Sequence, residues 1–401
     1  MQPPFALPSL PPLALYVHLP WCLRKCPYCD FNSHEQRGAL PEASYVDALL
    51  ADLDVARDAA QGRRLHGIFI GGGTPSLFSA ASVARLLAGI DARLGLAADA
   101  EITLEANPGT AEAGRFQGYR DAGVNRLSLG VQSFDPVQLQ RLGRIHDAQE
   151  ARRAVELAQA SFGRVNLDLM YTLPGQDVAG ALADVRTALA TGVTHLSCYQ
   201  LTIEPNTVFH RRPPALPDDD AAAAIEAAVH AELAGAGFGR YEISAWARPG
   251  EECRHNLNYW WFGDYLGIGA GAHAKASWPG RIVREARTRV PADYLRRAPA
   301  GEAVAERREL APPDAVFEFL LNALRLPQGF PEQLFSERTG QPLAAAEPGL
   351  TRALERGLIE RSRGEIRPTA LGLRFLNDLV GLFLPDGGTA PPAAGATARG
   401  R

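Results

Sequence analysis

At 401 residues with 46% hydrophobic side chains, the chain can bury a sizeable core and is long enough for about two or three domains. A formal net charge of −4 carries no polyanion-binding signature, so nucleic acid is not an expected partner. The N-terminus, Met1-Gln2-Pro3-Pro4-Phe5-Ala6, lacks a basic stretch followed by an apolar one, and no apolar run reaches membrane-spanning length. With only five cysteines, these features together predict a cytoplasmic protein.

Residues 1–13 are proline-rich and read as an irregular lead-in. Leu15-Tyr16-Val17-His18-Leu19 reads as a strand that ends at Pro20 and opens into Trp21-Cys22-Leu23-Arg24-Lys25-Cys26-Pro27-Tyr28-Cys29-Asp30-Phe31. A helix over roughly 41–60 follows, with Tyr45, Leu49, Leu50 and Leu53 on one face. Gly67-Ile68-Phe69-Ile70 leads into Gly71-Gly72-Gly73-Thr74-Pro75, and a helix is expected from 80 to 94. Successive glycines there either serve the turn alone or let a backbone approach a ligand, since no Cβ intrudes. Strands at 101–105, 125–132, 164–170 and 195–201 alternate with helices near 111–122, 135–142, 147–160, 178–191 and 218–236. Six strand–helix units in a row imply a parallel sheet, because parallel neighbours need helical crossovers. Polar residues recur where these strands end: the cysteines, the glycines, Glu105, Gln132, Asp168 and Gln200. In curled parallel sheets that end carries the active site, so one shared site is expected there.

Three of the five cysteines fall within eight residues, at Cys22, Cys26 and Cys29. Thiolates at such spacing suit an iron–sulfur cluster, and three ligands rather than four would leave one iron open to a small molecule. Zinc would need a fourth ligand, which His18 or His34 could supply. A disulfide would leave an odd thiol and suits secreted proteins better.

The Cys22-x3-Cys26-x2-Cys29 pattern resembles the signature of radical S-adenosylmethionine proteins, which hold a [4Fe–4S] cluster on three cysteines and bind the cofactor at the open iron. Tyr16 to Cys22, Phe69 to Pro75, Leu129 to Phe134 and Asp168 to Gln176 resemble the narrower group of oxygen-independent coproporphyrinogen III oxidases and their relatives. The resemblance implies an α/β fold built on a partial (β/α)6 barrel over residues 14–245. It also implies site residues: Tyr16 packing on the cofactor, Gly71 and Gly72 along its methionine end with Thr74 beside them, and Glu105, Gln132 and Asp168 bonding its amino-acid or ribose groups. Arg144 would face its carboxylate. Thr172 departs from the pattern, since glycine is expected before Leu173-Pro174-Gly175.

Two branches of the group differ. The oxidases resemble Cys-x3-Cys-x2-Cys-x-Cys with a longer N-terminal extension, whereas here the fourth position is Phe31 and only 21 residues precede Cys22. Tyr241 to Ala247, Arg254-His255-Asn256-Leu257-Asn258-Tyr259-Trp260 and Tyr265 to His273 instead resemble the HemW branch, the haem chaperones. That branch implies His255 as an axial haem ligand, walled by Tyr259, Trp260 and Trp261, with Cys253, His273 and Cys198 as weaker candidates. The partners it implies are haem and acceptor haemoproteins, respiratory enzymes at the membrane among them; dimerisation is left open. A working radical enzyme that oxidises a porphyrinogen is the alternative, and a zinc- or cluster-stabilised scaffold a third.

Residues 246–304 mix glycines, aromatics and short β-like runs, and are expected to form a linking layer over the barrel mouth. Helices from 312, over 330–339 and over 348–357, then a hairpin from Gly357 to Thr369, suggest a winged-helix-like domain over 305–384. It shows no dense basic stripe. Residues 385–401 read as a disordered tail.

Overall fold

The computed structural model describes residues 4–110 and 113–385. Six parallel strands form the centre: β1 (Leu13–Leu19), β2 (Leu65–Gly72), β3 (Leu96–Ala106), β4 (Arg126–Gln132), β5 (Arg164–Tyr171) and β6 (His195–Gln200). They lie in the order β1-β2-β3-β4-β5-β6, each in parallel register with the next. Helices cross over between them: α1 (Glu42–Ala56), α2 (Ala80–Leu94), α3 (Ala113–Asp121), α4 (Pro136–Arg141), α5 (Ala148–Ser161), α6 (Val178–Ala190) and, after β6, Asp219–Gly235.

Local chemistry accounts for the boundaries. Ser79 caps α2 by accepting from the Ser82 amide, and Val83, Leu86, Leu87 and Ile90 repeat at helical spacing on its buried face. Asp147 and Glu150 form a reciprocal capping box that starts α5. The helix expected over 41–60 ends at Ala56 and tightens into a 3₁₀ turn, Arg57–Ala60. The outward face of the strands, with Leu15, Val17, Ile68, Ile70, Leu104, Leu127 and Leu167, packs on Leu49, Leu53, Ile90, Val155 and Val185 of the helices. Each such side chain, fully buried, stabilises the barrel by about 1.5–3 kcal/mol.

The inward face is different. Tyr16 is the one partly accessible side chain of β1, and Phe69, Glu105 and Asp168 are likewise partly accessible on β2, β3 and β5. These alternate residues line a polar lumen.

Residues 246–304 depart from expectation. Instead of a layer across the mouth, strand Asp264–Ile268 joins the sheet parallel to β1, and His273–Trp278, Arg281–Arg287 and Val304–Glu309 extend that edge antiparallel. On the other edge, Ala245–Ala247 and Gly239–Arg240 continue the sheet past β6. The stretch between these edges runs under the amino-terminal ends of the strands. Arg248 N–H bonds Thr194 O, Glu251 pairs with Arg164, and the Arg254 amide donates to Glu101. Its helix, Arg254–Trp260, therefore forms a floor at the end opposite the cysteines. The barrel could not be closed this way by a mouth-covering segment, because Thr194 stands before β6, Arg164 begins β5, and Glu101 precedes the part of β3 that pairs with β4.

The C-terminal part has the expected elements: helices Pro312–Ala323, Glu332–Thr339 and Gly349–Glu355, and a three-stranded sheet of Phe330–Pro331, Glu365–Pro368 and Ile359–Ser362. Phe319, Leu320, Phe330, Phe335, Leu350 and Ile366 form its own core. The proline-rich lead-in has neither helix nor strand over its described residues 4–12, yet Phe5 is buried in that same core. The expected tail lies, from residue 386 on, outside the described residues.

Candidate functional site

The cysteine loop leaves β1 at Pro20 and is pinned at its base by a two-residue parallel ladder, Trp21–Cys22 against His34–Glu35. The Gln36 amide bonds Cys22 O at 2.8 Å, and the Cys29 amide bonds Cys26 O at 3.1 Å. Asn32 fastens the far side: its Nδ2 donates to Ala270 O at 2.8 Å and Arg289 O at 2.9 Å. Lys25 Nζ donates to Phe31 O at 3.0 Å and Ser33 O at 3.2 Å, so Phe31 contributes its carbonyl while its ring is exposed. Tyr28 packs against a small cluster of Leu142, Met170, Leu173, Leu201 and Phe209 at the ends of the neighbouring strands.

Beside the loop, the glycine turn after β2 is shaped by close approach. A Cβ on Gly73 would lie 2.5 Å from Trp21 O, and one on Gly72, whose φ is +118°, would lie 2.7 Å from the His18 ring. The Gly72 amide donates to Glu105 Oε2 at 3.1 Å, and Thr74, buried, accepts from Asn107 Nδ2 at 2.9 Å. Arg144 reaches in from the segment after α4. Its Nη1 lies 3.5 Å from Cys26 Sγ, and its Nη2 donates to Gly130 O at 2.7 Å and to the Asn107 side chain. Leu23, Arg24, Cys26, Thr74, Asn107, Gly143, Arg144 and Ile145 line the resulting cleft. Gln132, at φ +70° beside a register shift in β4, folds its amide back over Gly130.

The donor set fits an iron–sulfur cluster. All three cysteines are free and half-buried around this cleft, and burial holds the Cys22 thiol up at about 11 and raises Cys29 as well. Among the described residues no three His, Cys, Asp or Glu side chains are disposed to hold a single metal ion. Thiolates that bind separate irons of a cube need not converge on one point, whereas a zinc site must. His18, the zinc alternative, has both nitrogens engaged, by Tyr16 Oη at 2.9 Å and Asn32 O at 2.9 Å. His34 Nε2 faces Asn32 Oδ1 at 3.3 Å.

Below the cleft, Glu105 and Asp168 face the same lumen. Burial first, and the charge of Asp168 second, push Glu105 up to about 8. Burial pushes Asp168 up to about 6 against hydrogen bonds from Asn166 and Ser128. Two carboxyls held this way favour a ligand that brings positive charge or hydroxyl donors. Tyr16 stands lower still, its ring 6.3 Å from Phe69 and 6.4 Å from His255.

The structure thus brings Cys22, Cys26, Cys29, Gly71, Gly72, Thr74, Gln132 and Arg144 to the mouth, with Glu105, Asp168 and Tyr16 beneath. His255 lies apart, on the floor helix, stacked on Phe69 at 5.0 Å and 8% exposed. Burial lowers its imidazole to about 3, and its Nδ1 has no hydrogen-bond partner among the described residues. Cys253 is buried with its thiol 3.5 Å from Glu101, and Cys198 lies in the main core. Sequence reasoning missed Asn107, which joins Thr74 to Arg144, and Asn32, which fixes the loop. Asn32 directly follows the cysteine loop and Asn107 stands just past the strand expected over 101–105, so a polar side chain next to each motif was the available signal.

Residues 16–186 match the radical SAM superfamily, and residues 310–375 match the HemN C-terminal domain. Among curated relatives, the "Heme chaperone HemW" of Escherichia coli K12 is 51% identical over 94% of this chain and 100% of its own length; that of Haemophilus influenzae is 50% identical over 95% and 100%. The cattle "Radical S-adenosyl methionine domain-containing protein 1, mitochondrial" is 37% identical over 92% of this chain and 86% of its own. The solved structure of the Escherichia coli coproporphyrinogen III oxidase HemN shares the fold, with a TM-score of 0.79 at 22% identity over 93% of this chain and 90% of that one. On half-identity along the whole length of such relatives, the chain belongs to the radical SAM superfamily and, within it, to the HemW family.

Proposed function

We propose that the protein is a haem chaperone that carries a [4Fe–4S] cluster and S-adenosylmethionine, binds haem and delivers it to acceptor haemoproteins. In this reading Cys22, Cys26 and Cys29 hold the cluster. The cluster, when bound, supplies a redox-active centre with one iron open to the amino and carboxylate groups of S-adenosylmethionine. Gly71, Gly72 and Thr74 offer backbone and hydroxyl contacts along that cofactor. Glu105, Gln132 and Asp168 orient its charged and hydroxyl groups, Arg144 faces its carboxylate, and Tyr16 closes the pocket from below.

The observation that carries the haem half is His255: a neutral imidazole, buried against Phe69 and Tyr16, whose Nδ1 has no hydrogen-bond partner among the described residues. A haem iron takes such a ligand. Phe31 supports the chaperone over the oxidase, because its exposed ring offers no fourth thiolate in the loop. The same reading assigns 14–245 to the cofactor barrel and 305–384 to a docking module. It takes the protein as cytoplasmic, with respiratory haem enzymes at the membrane among its acceptors. No helix among the described residues is long and apolar enough to cross a membrane.

The experiment pairs two assays on anaerobically reconstituted protein. Haem titration of the wild type and of His255→Ala should show affinity reduced at least about tenfold in the variant. Coproporphyrinogen decarboxylation with S-adenosylmethionine and a low-potential reductant should stay at background. Robust protoporphyrinogen formation would overturn the chaperone, and unchanged titration would remove His255.

A further inference from the structure

The barrel is open on one side, between the edge strand Gly239–Arg240 and the strands beyond β1, and the C-terminal domain bridges that gap. Gln328 Nε2 donates to Arg240 O at 3.0 Å on one edge, and Glu318 accepts from Arg284 on the other at 2.5 Å. Arg325, just after helix Pro312–Ala323, points into this junction. It is 7% exposed, and its Nε and Nη2 have no hydrogen-bond partner among the described residues. Those two N–H groups leave the same edge of the guanidinium, the fork that grips a carboxylate with two parallel bonds. The guanidinium lies 4.6 Å from the ring centre of Trp260, which fixes its plane, and the Trp260 Nε1 is a third buried donor without a partner.

Other buried arginines are closed differently. Arg287 is matched by Asp52 and Glu285, and Arg284 by Glu318. The nearest carboxylate influence on Arg325 is Glu242, whose Oε1 accepts from the Ser244 amide while its Oε2 is unpartnered. Glu242 forms no ion pair with Arg325 within reach of a salt bridge among the described residues, yet its charge acts on Tyr199, which shares the lumen with Asp168 and Glu105. The floor helix links the junction to the lumen, since it carries Trp260 against Arg325 and His255 against Phe69. A buried guanidinium without a counter-ion is destabilising by several kcal/mol. Three buried donors without partners, beside a single carboxylate, Glu242, that forms no ion pair with Arg325, describe a site that a further anion fits.

We propose that Arg325, together with the Trp260 N–H, is a carboxylate-binding subsite on the side wall of the lumen, and that it receives a propionate of the bound haem. This rests on the haem-binding reading above. His255 and Trp260 lie on the same floor helix, so the iron ligand and the carboxylate anchor are carried by one rigid element.

The test compares iron protoporphyrin IX with its dimethyl ester, which keeps the macrocycle and the iron and removes both carboxylates. The wild type should bind the free acid at least about tenfold more tightly than the diester, as loss of a charge-assisted bidentate pair predicts. In Arg325→Gln the free-acid affinity should fall to that of the diester. Trp260→Phe should reduce the preference in part, and Arg325→Lys should restore only a fraction, since an ammonium lacks the fork. If Arg325→Gln melts below the assay temperature, the Lys and Phe variants alone decide. Full discrimination between acid and diester in these variants would overturn the subsite and leave ordered water as the occupant of the junction. A wild type that binds neither porphyrin would remove the haem reading itself, and the subsite with it.

Discussion

Gly72→Ala offers a direct measure of how tightly the cofactor mouth is built. The position has φ +118°, a region that L side chains rarely adopt, and forcing one there costs about 1–3 kcal/mol. A Cβ would also lie 2.7, 2.8 and 2.9 Å from three atoms of the His18 ring. That ring cannot step aside freely, because Tyr16 Oη and Asn32 O hold its two nitrogens. Releasing one of those bonds adds about 1 kcal/mol. The entropy that alanine removes from the unfolded chain offsets about 0.4–1 kcal/mol. The net loss is about 1–3.5 kcal/mol, or a melting temperature lower by about 2–14 °C for a barrel of this size. Gly62→Ala is the control: φ is +76° but nothing lies within 4 Å of the added Cβ, so only the backbone component remains. Thermal unfolding followed by circular dichroism on cluster-free protein reads both. Equal losses in the two variants would refute the His18 contact, as would Gly72→Ala/His18→Ala losing no less than the sum of its singles.

Four further outcomes are expected. Asp52→Ala strips the buried Arg287 and Tyr294 of their shared carboxylate and should destabilise by about 3–5 kcal/mol in denaturant unfolding; a loss under 1 kcal/mol would show that Glu285 suffices. Glu105 has a folded pKa raised to about 8, so its stabilising contribution is full below about 4.5 and lost as pH rises through about 8. Glu105→Gln should therefore unfold at a higher temperature than the wild type at pH 9 and at nearly the same temperature at pH 4, while binding S-adenosylmethionine at least about tenfold more weakly. His255, held down at about 3 by burial, stays neutral through the physiological range, so haem affinity measured by Soret titration should be flat from about pH 5 to 8; a tenfold fall per unit below 6.5 would indicate an exposed histidine ligand instead. Thr172 sits at φ +55° and is buried, so Thr172→Gly should leave stability unchanged or raise it by up to about 1 kcal/mol, and a clear loss would mean that the hydroxyl's 2.6 Å contact with Tyr171 O matters more than the strain.

The barrel was legible because its signal is periodic. Apolar strand cores separated by helices of regular length leave few alternatives, and the helix expected from 80 to 94 spans Ala80–Leu94, where the structure adds the Ser79 and Gly95 caps. The mouth was legible because glycines and cysteines cluster only for local reasons. Residues 246–304 were misplaced because nothing in Arg254 to Trp260 states which end of the barrel it meets. That is decided by Glu101 and Arg164, more than 80 residues away in the chain. Arg325 gave no sequence signal, since an arginine after a helix is ordinarily a solvated cap, and only its burial against Trp260 sets it apart. Thr172 shows the reverse: the glycine expected there is explained by a backbone conformation that the threonine nonetheless adopts.

The buried lead-in has a consequence for the order in which the molecule is completed. Gln341 Nε2 bonds Pro4 O across 337 residues of chain, and the Ala6 amide bonds Gly340 O. Arg63 Nη1 takes Pro11 O at 2.7 Å, and the Asp264 amide takes Pro12 O, so the same short segment also touches the barrel. During synthesis residues 4–12 must wait until the 310–383 core has been made before Phe5 can be buried. Loop-closure entropy grows only slowly with length, so the delay is kinetic rather than a large loss of stability. This segment thus acts as a late fastener: once Phe5 docks, residues 4–12 tie the C-terminal domain to the barrel by bonds to both.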